Sequence, residues 1–315
     1  MTQSSDNLKD LYNAIKTISN YFDENNVSIL IKNTNEPIHK YCHYNRTSDS
    51  NKCLDYFEMT SSGVIYLLEN LKKYGLDDDK LADYAILWLI YKLKIKTNNN
   101  FTNLNEFYTK YIETNNDYNN KINGNDGLTY KEIIDKKKDL MDMDINEIFK
   151  LEAPFNILYF LYHEISDQKS FCREYSNYAN TFADQFKKLN EDSNNIEDSS
   201  FSQILSTLLN DHNNLINKYC KESCSYSSLP KIDPKKKPVK SSAKGVEEIS
   251  LQTPEATPSS SSTLNTVVPV LSTFAIPVFL GVAYKYSLFG FDKLFQRQHI
   301  RNKLKKIKNK MELNI

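Results

Sequence analysis

The side chains best suited to chemistry in this 315-residue chain are five cysteines and five histidines, and their spacing bounds what they can do. His39, Cys42, His43 and Cys53 stand near enough in sequence to be read as four zinc ligands. Their spacing matches no common structural zinc site, and one such cluster would leave Cys172, Cys220 and Cys224 without a purpose. The competing reading is oxidative. Cys42 with Cys53 would close a polar interval that lacks any helical pattern, which makes this pair the first disulfide candidate. Cys220 can join Cys224 only if the helix ends between them, and Cys172 can instead take either one. His163-Glu164 begins like a zinc-protease helix, but Asp167 stands where the second histidine is required. Asp142, Asp144 and Asn146 open like a calcium loop, yet Glu147 occupies the glycine position and Ala153 that of the bidentate glutamate, so a solvated acidic turn is expected. The 7 glycines are too scattered for a phosphate cradle, and no nucleophile stands in a recognisable catalytic arrangement. No catalytic residue, cofactor, metal or small-molecule substrate is therefore expected. Asn26, Asn45 and Asn100 begin glycosylation sequons, a chance-level signal in so asparagine-rich a chain.

The elements that would position these residues read as helices throughout residues 1–228. Leu8, Leu11, Tyr12, Ile15, Ile18 and Phe22 make one helical face, with Ser5 or Asp6 as its cap, in an N-terminal stretch that lacks the apolar core of a cleaved signal peptide. Val64, Ile65, Leu67, Leu68 and Leu71 make another, which Gly75 ends before Asp77 to Asp79 cap the next. Leu81 to Ile95, containing Trp88, is apolar nearly all round and should be the central core helix. Asp83, Lys92 and Lys94 make it a poor membrane span. Further stripes run through Leu104, Phe107, Tyr108, Tyr111 and Ile112, and through Tyr130, Ile133, Ile134, Leu140 and Met141. Pro154 should open a short apolar helix, and two amphipathic segments follow over Phe171 to Leu189 and Phe201 to Ile216. The expected fold is all-α, with about eight helices.

Beyond this body the pattern changes twice. Residues 229–266 mix five prolines with lysine and serine and should be an exposed stalk. Residues 267–286 begin with an apolar run from Val267 to Tyr284 that would rise roughly 27 Å as a helix, close to the hydrocarbon thickness of a bilayer. Pro269 and Pro277 would kink this single transmembrane helix, and Lys285 could snorkel from its end. Residues 287–315 form a basic tail that includes Arg297, Arg301, Lys303, Lys305 and Lys306. The chain is formally neutral, but residues 1–228 carry 25 basic and 34 acidic groups, whereas residues 267–315 carry 9 and 2. An acidic body with a basic end argues against nucleic acid as a partner and, by the positive-inside rule, places the tail in the cytosol and the body outside or in a lumen. The tail can lie on the inner leaflet as an amphipathic helix, or serve as a solvated charge run that only fixes orientation.

Several stretches together resemble the PIR proteins, the Plasmodium interspersed repeat multigene family of malaria parasites, and most of all its rodent-parasite members. They are Tyr41-Cys-His-Tyr, Leu81 to Leu93, Phe107 to Glu113, Tyr130 to Met141, Leu189-Asn-Glu-Asp-Ser-Asn, Gln203 to Leu208 and, most specific, Phe279 to Phe291. The resemblance implies a helical ectodomain, one C-terminal span, and a variant antigen displayed on or exported into the infected red cell, active in immune evasion and host contact through an unidentified ligand. An internal role in the vacuolar or host-cell membrane system, in trafficking or remodelling, is the alternative. Family members usually have a further cysteine near the N-terminus; none stands between Ser4 and Leu8, which leaves the partner of Cys172 open.

Overall fold

The computed structural model describes residues 5–22, 37–44, 52–96, 99–124, 126–164, 168–219 and 229–237. The span, the tail with Lys285, Arg297, Arg301, Lys303, Lys305 and Lys306, and most of the stalk lie outside them, as do Cys220, Cys224 and the Cys172 side chain. The α-helices among the described residues are α1 (Ser5–Ser19), α2 (Tyr56–Lys72), α3 (Asp78–Ile95), α4 (Leu104–Phe107), α5 (Tyr130–Asp135), α6 (Ile145–Ile148), α7 (Glu152–Glu164), α8 (Gln168–Asn190) and α9 (Ser200–Tyr219). Only isolated bridges, such as Tyr44 with Asn115, supply β pairing here.

Local chemistry sets the boundaries. Asp55 caps α2 by accepting from the Glu58 N–H at 2.8 Å, and Asp77 caps α3 from the Lys80 N–H at 2.8 Å. Gly75 takes φ 69° between them, a conformation that glycine adopts without cost. Thr129 and Glu132 form a capping box at the start of α5. Asp144, from the sequence-level calcium candidate, caps α6 by accepting from the Asn146 N–H at 2.8 Å. Helix α7 starts at Glu152, two residues before Pro154, which sits in the first turn where its missing N–H is harmless.

Helix α3 is the hub, packed against α2, α5, α7 and α9, while α1 lies across α2, α7 and α9. Trp88 is fully buried, its indole N–H donating to Ser19 Oγ at 3.0 Å and its ring meeting Phe22 edge-on at 5.6 Å. It fits only because α2 presents Gly63, where a Cβ would lie 2.5 Å from the indole. Asp83, Lys92 and Lys94, the charges within the apolar stretch of α3, each have a partner. Asp83 pairs with Lys137 at 2.7 Å, and Lys94 pairs with Glu152 at 3.7 Å while donating to the Phe149 carbonyl at 3.1 Å. Lys92 lies over the rings of Phe22 and Tyr91, each at 4.9 Å. No helix among the described residues is long and apolar enough to cross a membrane.

The stripe from Tyr130 to Met141 does not continue as one helix. Helix α5 ends at Asp135 and a 3₁₀ turn, Lys138–Leu140, follows. Between them Lys137 turns inward, fully buried, to reach Asp83 and to donate to Gln203 Oε1 at 2.7 Å.

Candidate functional site

Cys42 and Cys53 are joined in a disulfide, with Cα atoms 5.2 Å apart. This overturns the zinc reading of His39, Cys42, His43 and Cys53, because both thiolates that a metal would need are consumed. His43 instead places Nδ1 2.7 Å from the Asp117 carboxylate, which also accepts from the His43 N–H at 3.1 Å. The bridge belongs to a wider staple. The Tyr41 N–H donates to Ser62 Oγ at 3.2 Å, Asn115 Nδ2 donates to the Tyr41 carbonyl at 2.8 Å, and the Tyr44 hydroxyl donates to the Tyr111 carbonyl at 3.1 Å. The small residues Ser61 and Ser62 let this segment lie close to α2. The Tyr41 and Tyr130 hydroxyls both donate to Glu69, the second at 2.8 Å. Burial, then the Glu69 carboxylate, pushes both phenols above their ordinary range and keeps them as donors. Leu54, next to the bridge, is 53% exposed and stands out against the covered apolar residues around it.

A second cluster was not expected from the sequence. Asp211 of α9 accepts from the Tyr12 hydroxyl of α1 at 2.8 Å and from the Tyr84 hydroxyl of α3 at 2.8 Å, and the Tyr162 hydroxyl of α7 donates to the Asp211 carbonyl at 2.7 Å. The rings of Tyr12 and Tyr162 stack at 4.5 Å. Burial pushes the Asp211 carboxyl up to about 7, against the phenol hydrogen bonds that favour its anion. Its neighbour His212 stacks on Phe182 at 4.4 Å, and burial pushes it down to about 4. A carboxyl with a raised pKa and two phenol partners could move protons, but Asp211 is 3% exposed and Tyr12 and Tyr84 are 1% exposed. No substrate reaches it; it ties four helices together. The readable signal was a charge on an apolar stripe, since Ile204, Leu208, Asp211 and Leu215 share one face of α9.

The remaining sequence candidates have structural surroundings. His163 is half-buried on α7 with its ring stacked on Tyr159 at 5.9 Å. Residues 229–237, read from sequence as stalk, lie along the loop between α8 and α9. The Lys235 N–H donates to the Asn195 carbonyl at 2.8 Å, the Glu197 N–H to the Lys235 carbonyl at 2.9 Å, and the Asp233 N–H to Asn190 Oδ1 at 3.0 Å. Lys237 pairs with Asp198 at 3.3 Å.

The family model described as "Plasmodium variant antigen protein Cir/Yir/Bir" matches residues 12–285. The chain belongs to this variant antigen family. It is similar to a solved structure titled "Structure of a Plasmodium PIR protein ectodomain", at 30% identity over 71% of this chain and 99% of that one, with a TM-score of 0.49. Comparison with curated proteins finds no match. Three of the stretches that carry the PIR resemblance occupy framework positions, Tyr41 to Tyr44 in the staple, Leu81 to Leu93 in the hub helix and Leu189 to Asn194 at the seat of the 229–237 segment, whereas Phe279 to Phe291 lies outside the described residues.

Proposed function

We propose that this PIR chain is a variant surface antigen that works by binding, without catalysis, with its helical body facing host plasma or a host cell surface. Membership of a variant antigen family is the observation that carries this reading. The Cys42 to Cys53 bridge supports it, because disulfides persist in oxidising compartments and are rare where glutathione keeps thiols reduced. On this proposal residues 267–286 anchor the chain in the bilayer and Lys285, Arg297, Arg301, Lys303, Lys305 and Lys306 hold the tail in the cytosol. Immune evasion would follow from the division of labour in the body. The polar networks that fix the fold are buried, so exposed positions are free to vary without loss of the framework.

Protease treatment of intact infected cells tests the placement. Digestion of the body, with the tail fragment retained, is expected. A body that survives until the cells are permeabilised would favour an internal role in the vacuolar or host-cell membrane system. The recurrence of Leu294, Ile300, Leu304, Ile307 and Met311 among the basic residues is the sequence feature that fits that second reading, as an amphipathic helix on a membrane surface.

A further inference from the structure

We propose that the groove between α1 and α2 is a binding site for a neutral saccharide. The inference rests on the reading that the body meets a host surface, and deepens it by naming a ligand class. Asp10, Asn13 and Thr17 lie one helical turn apart on α1, and Tyr66 and Asn70 are four residues apart on α2, with Tyr74 just beyond its end. These six residues face one another across a groove of about 280 Å³ floored by Ala14. The opposite face of α1, from Leu8 to Ile18, is buried, so this stripe is the outward one.

The chemistry of the lining selects the ligand. A sugar offers C–H faces that pack on aromatic rings and vicinal hydroxyls that match planar amides and carboxylates; the lining supplies two phenol rings, two amides and one carboxylate. The framework of the groove is already fixed. The Tyr74 hydroxyl donates to the Asp10 carbonyl at 3.2 Å, Asn70 donates from Nδ2 to the Tyr66 carbonyl at 2.8 Å and accepts at Oδ1 from Lys73 at 3.0 Å, and Thr17 Oγ1 donates to the Asn13 carbonyl at 2.9 Å. Among the described residues the Asp10 carboxylate, the Asn13 amide and the Tyr66 hydroxyl make no hydrogen bond, so acceptors and donors remain for a ligand. Apolar ligands gain little from a lining whose aliphatic contribution is one alanine. Anionic sugars are disfavoured by the Asp10 carboxylate in the lining and by the acidic body, while Lys73, a cation beside the lining, is held on Asn70 Oδ1. A shallow site of this kind binds a monosaccharide weakly, on the order of 1 mM, and many copies on one membrane would convert that into useful avidity.

The full-length chain in lipid nanodiscs, titrated with methyl glycosides of galactose, N-acetylgalactosamine, glucose and mannose and followed by saturation-transfer NMR, tests the site wherever the protein resides in the cell. At least one neutral glycoside should bind, while N-acetylneuraminic acid should not. Asn13→Ala and Tyr66→Ala should each weaken binding by about tenfold. Ala14→Arg, which fills the groove from a half-buried position, should abolish it with the helical circular dichroism and urea midpoint unchanged. Binding by none of the neutral glycosides, preference for the anionic sugar, or binding indifferent to Ala14→Arg would each overturn the proposal. A surface location with no saccharide binding would remove the site and leave the display reading standing; saccharide binding by a chain found only on internal membranes would do the reverse.

Discussion

Asp211 and His212 are adjacent in the chain and titrate in opposed senses. Folding raises the Asp211 carboxyl from 3.8 to about 7, so between those values the folded state holds a proton that the unfolded chain releases, and stability falls as pH rises. Folding lowers His212 from 6.5 to about 4, so the unfolded chain binds a proton that the folded state refuses, and stability falls as pH drops through that window. From pH 4 to 6.5 the two slopes oppose each other, each limited to about 1.4 kcal/mol per pH unit. Removing either group should expose the other. Asp211→Asn should make the urea midpoint fall on acidification from pH 6.5 to 4, and His212→Phe, which keeps the stack on Phe182, should make it fall as pH rises from 4 to 7. Profiles that stay parallel to the parent in both variants would rule out this compensation. The Cys42 to Cys53 bridge is the second residue-scale determinant: replacing both by serine should cost roughly 2 to 3 kcal/mol, measured as a shift in the midpoint at constant m-value.

Two elements are held by approaches closer than their helical or linker composition suggests. Gly63 lets α2 reach Trp88, so Gly63→Ala gains helix propensity yet drives a Cβ to 2.5 Å from the indole. A net loss of about 1 to 3 kcal/mol is expected, and Trp88→Phe should reduce that loss when the two are combined. The 229–237 segment satisfies Asn190 and Asn195, and a chain ended at residue 228 should be less stable than one ended at 237 by about 1 to 3 kcal/mol. Equal denaturation midpoints would mean that the segment only rests on the surface. These cases mark where the sequence could be read and where it could not. The stripes of α1, α3 and α9 and the Gly75 to Asp77 junction were legible because burial imposes a 3.6-residue period and caps need particular side chains. The docked segment was not, because backbone hydrogen bonds leave no mark on a Pro/Lys composition. Nor was the break after Asp135, since Lys137 reads as a surface charge until Asp83 is seen opposite it. The outward stripe of α1 was equally silent: Asp10, Asn13 and Thr17 have the composition of any solvated face until Tyr66 and Tyr74 stand across from them.

At the scale of the whole molecule the question is which side of the membrane each end occupies, and charge supplies the argument. The 9 basic residues between Lys285 and Lys310 follow the apolar run directly, whereas the 20 residues before Val267 contain Glu247, Glu248 and Glu255 and neither lysine nor arginine. On the proposed topology this asymmetry orients the span, because basic residues flanking a membrane helix are retained in the cytosol while acidic ones contribute little. Neutralising Arg297, Arg301, Lys303, Lys305 and Lys306 together should give a mixed orientation, and adding a basic cluster before Val267 should increase the inverted fraction. Antibody access to tags at the two ends of the chain in unpermeabilised cells reads the outcome. The parent chain should expose only the N-terminal tag if it resides at the cell surface. An accessible C-terminal tag in the parent would defeat both the topology and the surface-display reading, since the body and any ligand site on it would then face the cytosol.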